Sequence, residues 1–309
     1  MPVPQNTLTS YDVGSAGGLR EDLIDVITNI SPVETWFTSH SGTGKATNRY
    51  HEWLTDSLAA PGPNAVLEGS DALPAQQITP PVRLGNYCQI LRKVIQISES
   101  EEAFTKAGRS SDMAYSYANK LKELAQDIEY ALLINNASVA GNDGLARQLE
   151  GVLGWVQTNL KDASIGGVAQ PFTVDAFNAL CQMIWQKGGK PSIVLAGGFQ
   201  KRAISAAMTA INRRDVAASK EEVTFGVNVY QSDYGRVAVY PHYIIDAAAP
   251  GTLPVLGDMK LWKKAWARPI KKTPLAKTGS SNAVMVEAEL TLESRQEKGS
   301  GAMINLTQQ

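Results

Sequence analysis

Apolar residues fall at helical spacing in two places in the first half of the chain. In LREDLIDVITNISP, Leu19, Leu23, Val26, Ile27 and Ile30 share one face, and Pro32 marks the end of the run. The clearer case is SSDMAYSYANKLKELAQDIEYALLINNAS, where Met113, Tyr117, Leu121, Leu124, Ile128, Ala131 and Leu132 step by three and four. Ser110 or Ser111 can cap it and Asp112 sits at the positive end of the dipole, so a helix of about 26 residues and roughly 39 Å is expected. Between these runs, from Thr47, the pattern switches to period two: Tyr50, Glu52 and Leu54 alternate with Arg49, His51 and Trp53. The segment DSLAAPGPNAVLEGSDALPAQQITPP has no period, and VRLGNYCQILRKVIQIS is extended again. Two extended runs joined in this way predict a hairpin that projects from the body. Loops beyond about 12–15 residues usually serve a function, and a two-stranded ribbon is marginal alone, so the hairpin needs a partner surface.

Downstream, GVAQPFTVDAFNALCQMIWQKGGKPSIVLAGGFQKRAISAAMTA reads as helix, turn, buried strand and helix. Phe177, Leu180, Cys181 and Ile184 share a face, and Gly188-Gly189 ends the first helix. EEVTFGVNVYQSDYGRVAVYPHYII reads as a hairpin, with Val223, Phe225, Val227 and Val229 on one side and SDYG as its turn. Together these form a compact α+β unit. Near the C-terminus Val284, Val286, Ala288, Leu290 and Leu292 alternate toward a core, and Glu287, Glu289, Thr291 and Glu293 toward water. KGSG then turns the chain into the short strand AMINL, and residues 1 to 20 read as a polar arm.

Composition narrows the class. A chain of 309 residues suggests about two domains, and 29 basic against 30 acidic residues give a net charge of −1. That balance predicts no global attraction to nucleic acid or acidic membranes. Cys88 and Cys181 lie in separate apolar runs and read as buried thiols. No signal-peptide pattern opens the chain, and no run of about 18 apolar residues suggests a membrane span.

The candidate chemistry is thin. Gly-Thr-Gly-Lys at 42–45 looks like a phosphate-binding loop, but the required first glycine is Ser39, and Ala46 replaces the hydroxyl residue after the lysine. A strand rather than a helix is expected to follow, so Gly42 and Gly44 read as a turn that releases the chain into the projecting loop. His40, His51 and His242 have no metal or catalytic spacing and read as ordinary surface or partly buried residues. ESEE at 99–102 reads as helix stabilisation at a positive dipole end. KLWKKAWARPIKK at 260–272 reads as a strand with a buried tryptophan face, with stacking on nucleic acid as the sharper alternative. We expect no catalytic residue, cofactor or metal.

The order arm, projecting hairpin, long helix, α+β insertion and returning sheet resembles the Hong Kong 97-like fold of tailed-phage major capsid proteins. The stretches LREDLIDVITNISPVETWFTSHSGTGKATNRYHEWLTDSLAAPGPNAVLEG, ELAQDIEYALL, ARQLEGVLGWVQTN, LWKKAWARPIKKTPLAKTGSS and ELTLESRQEKGSGAMINL resemble the SU10-like major head protein family, in order over essentially the whole chain. The resemblance implies an α+β class with an N-terminal arm at 1–46 and an extended β-hairpin loop at 47–97. A peripheral domain follows at 98–170 and 261–309, with its spine helix near 111–136, and an axial domain at 171–260. It implies hexamers and pentamers forming an icosahedral or prolate virion shell, assembled in the host cytoplasm around double-stranded DNA held by non-specific contact. It implies no membrane, and separate scaffolding, portal and decoration proteins as partners. Trp36, Lys45, Trp53, Leu58, Pro61, Leu67, Glu68, Arg213 and Arg214 are the positions expected at subunit interfaces. No lysine stands between Ala46 and Arg92, so a shell without covalent cross-links from this loop is expected. Two other classes remain open at this level: a nucleotide-dependent enzyme built on Gly-Thr-Gly-Lys, and a nucleic-acid-binding module at 260–272.

Overall fold

A computed structural model describes residues 35–71, 78, 80–104, 111–211 and 228–308, with side chains 209–211 left aside. The helical run from Leu19 to Ile30, the NRRD stretch with Arg213 and Arg214, and Val223, Phe225 and Val227 lie outside the described residues.

The described chain opens with a short helix, α1 (Trp36–His40), and strand β1 (Gly42–Lys45). A hairpin of β2 (Tyr50–Thr55) and β3 (Val82–Tyr87) follows, paired antiparallel from Tyr50↔Tyr87 to Thr55↔Val82. The second extended run divides at Cys88, and β4 (Gln89–Ser98) leaves the hairpin for the main sheet. The short helix α2 (Glu99–Ala103) leads into the spine helix α3 (Asp112–Ile134). The helix-stabilising reading of ESEE holds here. Ser98 caps α2 by accepting from Glu101 N, and Glu102 Oε2 accepts from Asp112 N at 3.1 Å at the start of α3. Ser111 caps α3, accepting from Ala114 N.

After α4 (Val152–Trp155) and β5 (Leu160–Asp162) comes the insertion. It contains α5 (Val174–Gln186), β6 (Ile193–Ala196), α6 (Gly198–Ile211), β7 (Val229–Ser232), β8 (Gly235–Pro241), α7 (Tyr243–Ala248) and β9 (Leu253–Leu256). Gly188, at φ 85°, ends α5 in the left-handed region that a side chain resists. The chain returns through β10 (Trp262–Pro274), β11 (Ser281–Ser294) and β12 (Gly301–Ile304).

Two sheets organise the body. The four-stranded sheet has the order β1-β10-β11-β4, and the six-stranded sheet the order β5-β12-β9-β6-β8-β7. The insertion's sheet therefore recruits β5 and β12 from outside it. One core lies between α3 and the four-stranded sheet, built from Leu124, Ile128, Leu132, Val286, Ala288, Leu290, Leu292 and Trp262. A second core holds Phe177, Leu180, Ile184, Val194, Val237 and Val255 inside the insertion. The apolar stripe of α3 and the even positions of β11 thus meet as their periods predict.

Two expectations need correction. Residues 42–45 are not a turn: β1 runs parallel to β10, Gly42↔Lys263 to Lys45↔Trp266. A Cβ at Gly42 would come within 2.8 Å of the Lys263 side chain, so close strand approach, not turning, explains the glycine. Nor do Glu287, Glu289, Thr291 and Glu293 simply face water: Glu287 and Glu289 are only partly exposed. Glu293 is buried and Thr291 fully so, while Arg147, Arg268 and Arg295 reach across to the glutamates. Opposite charges set beside these carboxylates, two of them from other elements and one two residues along, make this second face tolerable in low dielectric.

Candidate assembly surfaces

Around α1 the chain builds a clamp. Phe37 is fully buried, its ring edge-on to Trp262 at 6.3 Å. Thr35 makes no side-chain cap, so the first backbone amides of α1 need an acceptor from elsewhere. Glu129, fully buried on α3, supplies it. Its carboxylate accepts from Phe37 N at 2.6 Å, from Thr38 N at 2.7 Å and from the Thr38 hydroxyl. His242 Nε2 lies 3.0 Å from the same carboxylate, with both side chains at 0 % exposure. His242 Nδ1 also accepts from Ile245 N as the cap of α7, so Nε2 carries the proton donated to Glu129. The expectation of an ordinary surface or partly buried histidine is corrected for this residue. At the other end of α1, Lys264 donates to the carbonyls of Thr38 and Ser41. Burial pushes the Lys264 ammonium below its ordinary pKa, and the nearby Glu129 charge opposes that shift. An anion at the amide end and a cation at the carbonyl end match the dipole of this short helix. One carboxylate thereby joins α1, α3 and α7.

The base of the β2–β3 hairpin is also fastened to the body. Asn86, fully buried, donates to the carbonyls of Glu150 and Leu292 at 2.9 Å each. Its Oδ1 accepts from Glu150 N at 2.9 Å and from the Ser138 hydroxyl at 3.1 Å. Every hydrogen-bonding site of that amide nitrogen is used, and sequence reading gave it no role. Trp53 Nε1 donates to Ser294 O at 2.8 Å, and its ring lies 5.5 Å from that of Trp155. A cleft of about 380 Å³ opens beside this base, lined by Asp56, Leu84, Glu150, Trp155 and Glu297 among others. Burial raises the pKa of Glu150 there.

Past Thr55 the character changes. Leu58, Val66, Leu67 and Ile78 are 98 %, 81 %, 82 % and 89 % exposed. Ser70 N closes a turn on Leu67 O at 3.1 Å, which presents Glu68 at the tip. Large apolar side chains this exposed are unusual in a chain that acts alone.

The expected interface positions divide accordingly. Leu58, Pro61, Leu67 and Glu68 are exposed on the hairpin tip, and Lys45 is exposed at the end of β1. Trp36 and Trp53 are half-buried and also make contacts within the chain, Trp36 stacking on His40 at 4.1 Å and lying 4.9 Å from Tyr240 of β8. Lys45 ends an extended strand and no helix N-terminus follows it, so nothing there cradles a phosphate. Trp262 is buried, as the strand reading of 260–272 expects, and the thiols of Cys88 and Cys181 are buried too. Burial pushes the Cys88 thiol up to about 11, with Glu289 adding and Arg147 opposing. The Cys181 thiol is pushed up to about 12 by burial, so neither is a ready nucleophile.

The model of the SU10 major capsid protein family matches residues 3–307 of this chain. The chain belongs to the SU10 major capsid protein family. It is a structural subunit of a tailed-phage virion shell, not an enzyme, and it assembles with copies of itself. A relative is the major capsid protein of Escherichia phage Phieco32, 24 % identical, with 95 % of each chain covered. Among solved structures, the Cyanophage A-1(L) capsid asymmetric unit superposes with a TM-score of 0.68 at 10 % identity, over 98 % of this chain and 100 % of that one. The phage G major capsid protein, solved together with decoration proteins, gives a TM-score of 0.57 at 8 % identity, over 99 % of this chain and 100 % of that one. At such identities the likeness rests on the Hong Kong 97-like fold, which the α+β architecture shares. The clamp and the hairpin are therefore features of a shell subunit.

Proposed function

We propose that the subunit forms hexamers and pentamers in which the hairpin lies on a neighbouring subunit and holds the shell without covalent links. The shell encloses double-stranded DNA through non-specific contact, with scaffolding, portal and decoration proteins as separate chains. The observation that carries this reading is the contrast within the hairpin. Its base is fixed by Asn86 and Trp53, while Leu58, Val66, Leu67 and Ile78 meet solvent. Burying one such leucine or valine is worth about 1.5–3 kcal/mol, so four per subunit, repeated around a shell, give a large driving force. The absence of lysine between Ala46 and Arg92 removes an amine donor from this loop. Mature particles boiled in detergent should run as one subunit band on a denaturing gel. A detergent-resistant ladder of multiples would overturn the non-covalent reading.

A further inference from the structure

We propose that the cleft beside the hairpin base is a binding site for a lysine side chain carried on a peptide segment. Its ammonium meets the Glu150 carboxylate, and its backbone carbonyl accepts from the indole N–H of Trp155. The proposal does not depend on how subunits meet in the shell.

The backbone holds the two polar groups in place. Glu150 is fixed through its own amide and carbonyl, each 2.9 Å from the side chain of Asn86. Trp155 ends the α4 turn that follows, with its ring against Trp53. The cleft between them and the hairpin, about 380 Å³, is within the range of small-ligand sites. Pro80, Val82, Leu84 and the Trp155 ring give it apolar walls. Such walls suit the hydrocarbon stem of a lysine, and an indole face attracts its compact cationic head.

Unmet hydrogen-bonding needs then identify the occupant. The charged side chains lining the cleft are Asp56, Glu150, Glu297 and Lys298. Glu297 is engaged, accepting from Thr158 N at 3.3 Å and from the Thr158 hydroxyl. Asp56 accepts from Ser57 N at 2.8 Å. The Glu150 carboxylate has no donor among the described residues, and burial raises its pKa with no partner opposing the shift. Lys298, the cleft's own cation, makes no salt bridge there among the described residues. The second unmet group is a donor: Trp155 Nε1 is buried and has no acceptor among the described residues. A desolvated carboxylate and a buried N–H left without partners both oppose folding, so their survival side by side calls for an explanation. A lysine residue answers both, with an ammonium donor at the end of its stem and an amide acceptor at its root. A bare amine answers only the first.

The indole N–H of Trp155 is itself the reporter. Its NMR signal is followed in the isotope-labelled, dissociated full-length subunit and identified by its loss in Trp155→Phe. The probe is Nα-acetyl-lysine N-methylamide, and a saturable downfield shift is expected. Nα-acetyl-norleucine N-methylamide keeps the stem and the amides but lacks the ammonium, and should bind at least about tenfold more weakly. The lysine probe should lose a similar factor on Glu150→Gln, and nothing on Asp143→Asn, which changes an exposed carboxylate on a separate cleft. No shift with the lysine probe, or equal binding of the norleucine probe, would overturn the proposal. Diaminobutane binding as tightly as the lysine probe would assign the cleft to a free amine and overturn it too. Should Glu150→Gln fail to fold, the comparison of probes on the parent chain decides alone. Because the subunit is dissociated, a negative result leaves the shell reading intact.

Discussion

The segment around α1 and the tip of the hairpin stand about 20 residues apart, and the fold treats them in opposite ways. Phe37 is buried, and the backbone on both sides of it is satisfied by Glu129 and Lys264 of the same chain. Among the described residues, Leu58 and Leu67 have no such socket. On the proposed function, the difference separates what folds the subunit from what joins subunits. A segment closed within its own chain contributes to the stability of the isolated protein. On that reading, a segment left open contributes only when a second copy arrives.

The largest effect should come from the closed segment. Glu129→Ala removes the one acceptor shared by Phe37 N, Thr38 N, the Thr38 hydroxyl and His242 Nε2. Stranding that set should cost the dissociated subunit about 3–5 kcal/mol in urea denaturation. Glu129→Gln should cost less, because it keeps one oxygen acceptor. A loss below about 1 kcal/mol for Glu129→Ala would show that solvent already reaches these amides.

The open segment should behave in the reverse way. Leu58 and Leu67 are 98 % and 82 % exposed among the described residues, so with Leu58→Ser combined with Leu67→Ser subunit stability should stay within about 0.5 kcal/mol of the parent. Particle formation, followed by sedimentation, should nevertheless fall. A variant that unfolds the subunit but still assembles in the folded fraction would erase the distinction between the two segments.

How much of this contrast was visible in the sequence depends on how local its cause is. The spine helix was legible because its apolar stripe and its Ser111 cap are local signals. The even positions of β11 were legible for the same reason. Its odd positions were misread, because what neutralises Glu287, Glu289 and Glu293 arrives from Arg147, Arg268 and Arg295. The arginines at 147 and 268 come from other elements and have no fixed spacing to the glutamates they meet. Residues 42–45 were misread because glycine serves close strand approach as well as turning, and only the partner strand distinguishes the two uses. Glu129 did leave a trace: it is the single charge in IEYALLI, the otherwise largely apolar last two turns of the helix. A lone carboxylate in such a run signals a buried partner, though not which one. The exposed hairpin tip was legible from composition, since nothing in DSLAAPGPNAVLEGSDALPAQQITPP could close on itself.

The smallest effect concerns the boundary between the two regimes, at the hairpin base. Glu150 lines the cleft there, and burial raises its pKa, so the folded state binds its proton more tightly than the unfolded chain does. Stability from this group is therefore greatest below the unfolded carboxylate range and falls as pH rises toward the folded pKa. At neutral pH the charged, partly desolvated carboxylate opposes folding. Glu150→Gln should raise the subunit melting temperature slightly at neutral pH, and the gain should vanish on acidification to about pH 4, where the parent is itself largely protonated. The backbone of Glu150, which bonds to Asn86, is untouched by the change. If the gain persisted at acid pH, better packing of the amide rather than relief of a desolvated charge would be its cause. If the gain instead appeared only in assembled shells, the cleft would be shaped by a neighbour and would belong with the open segment.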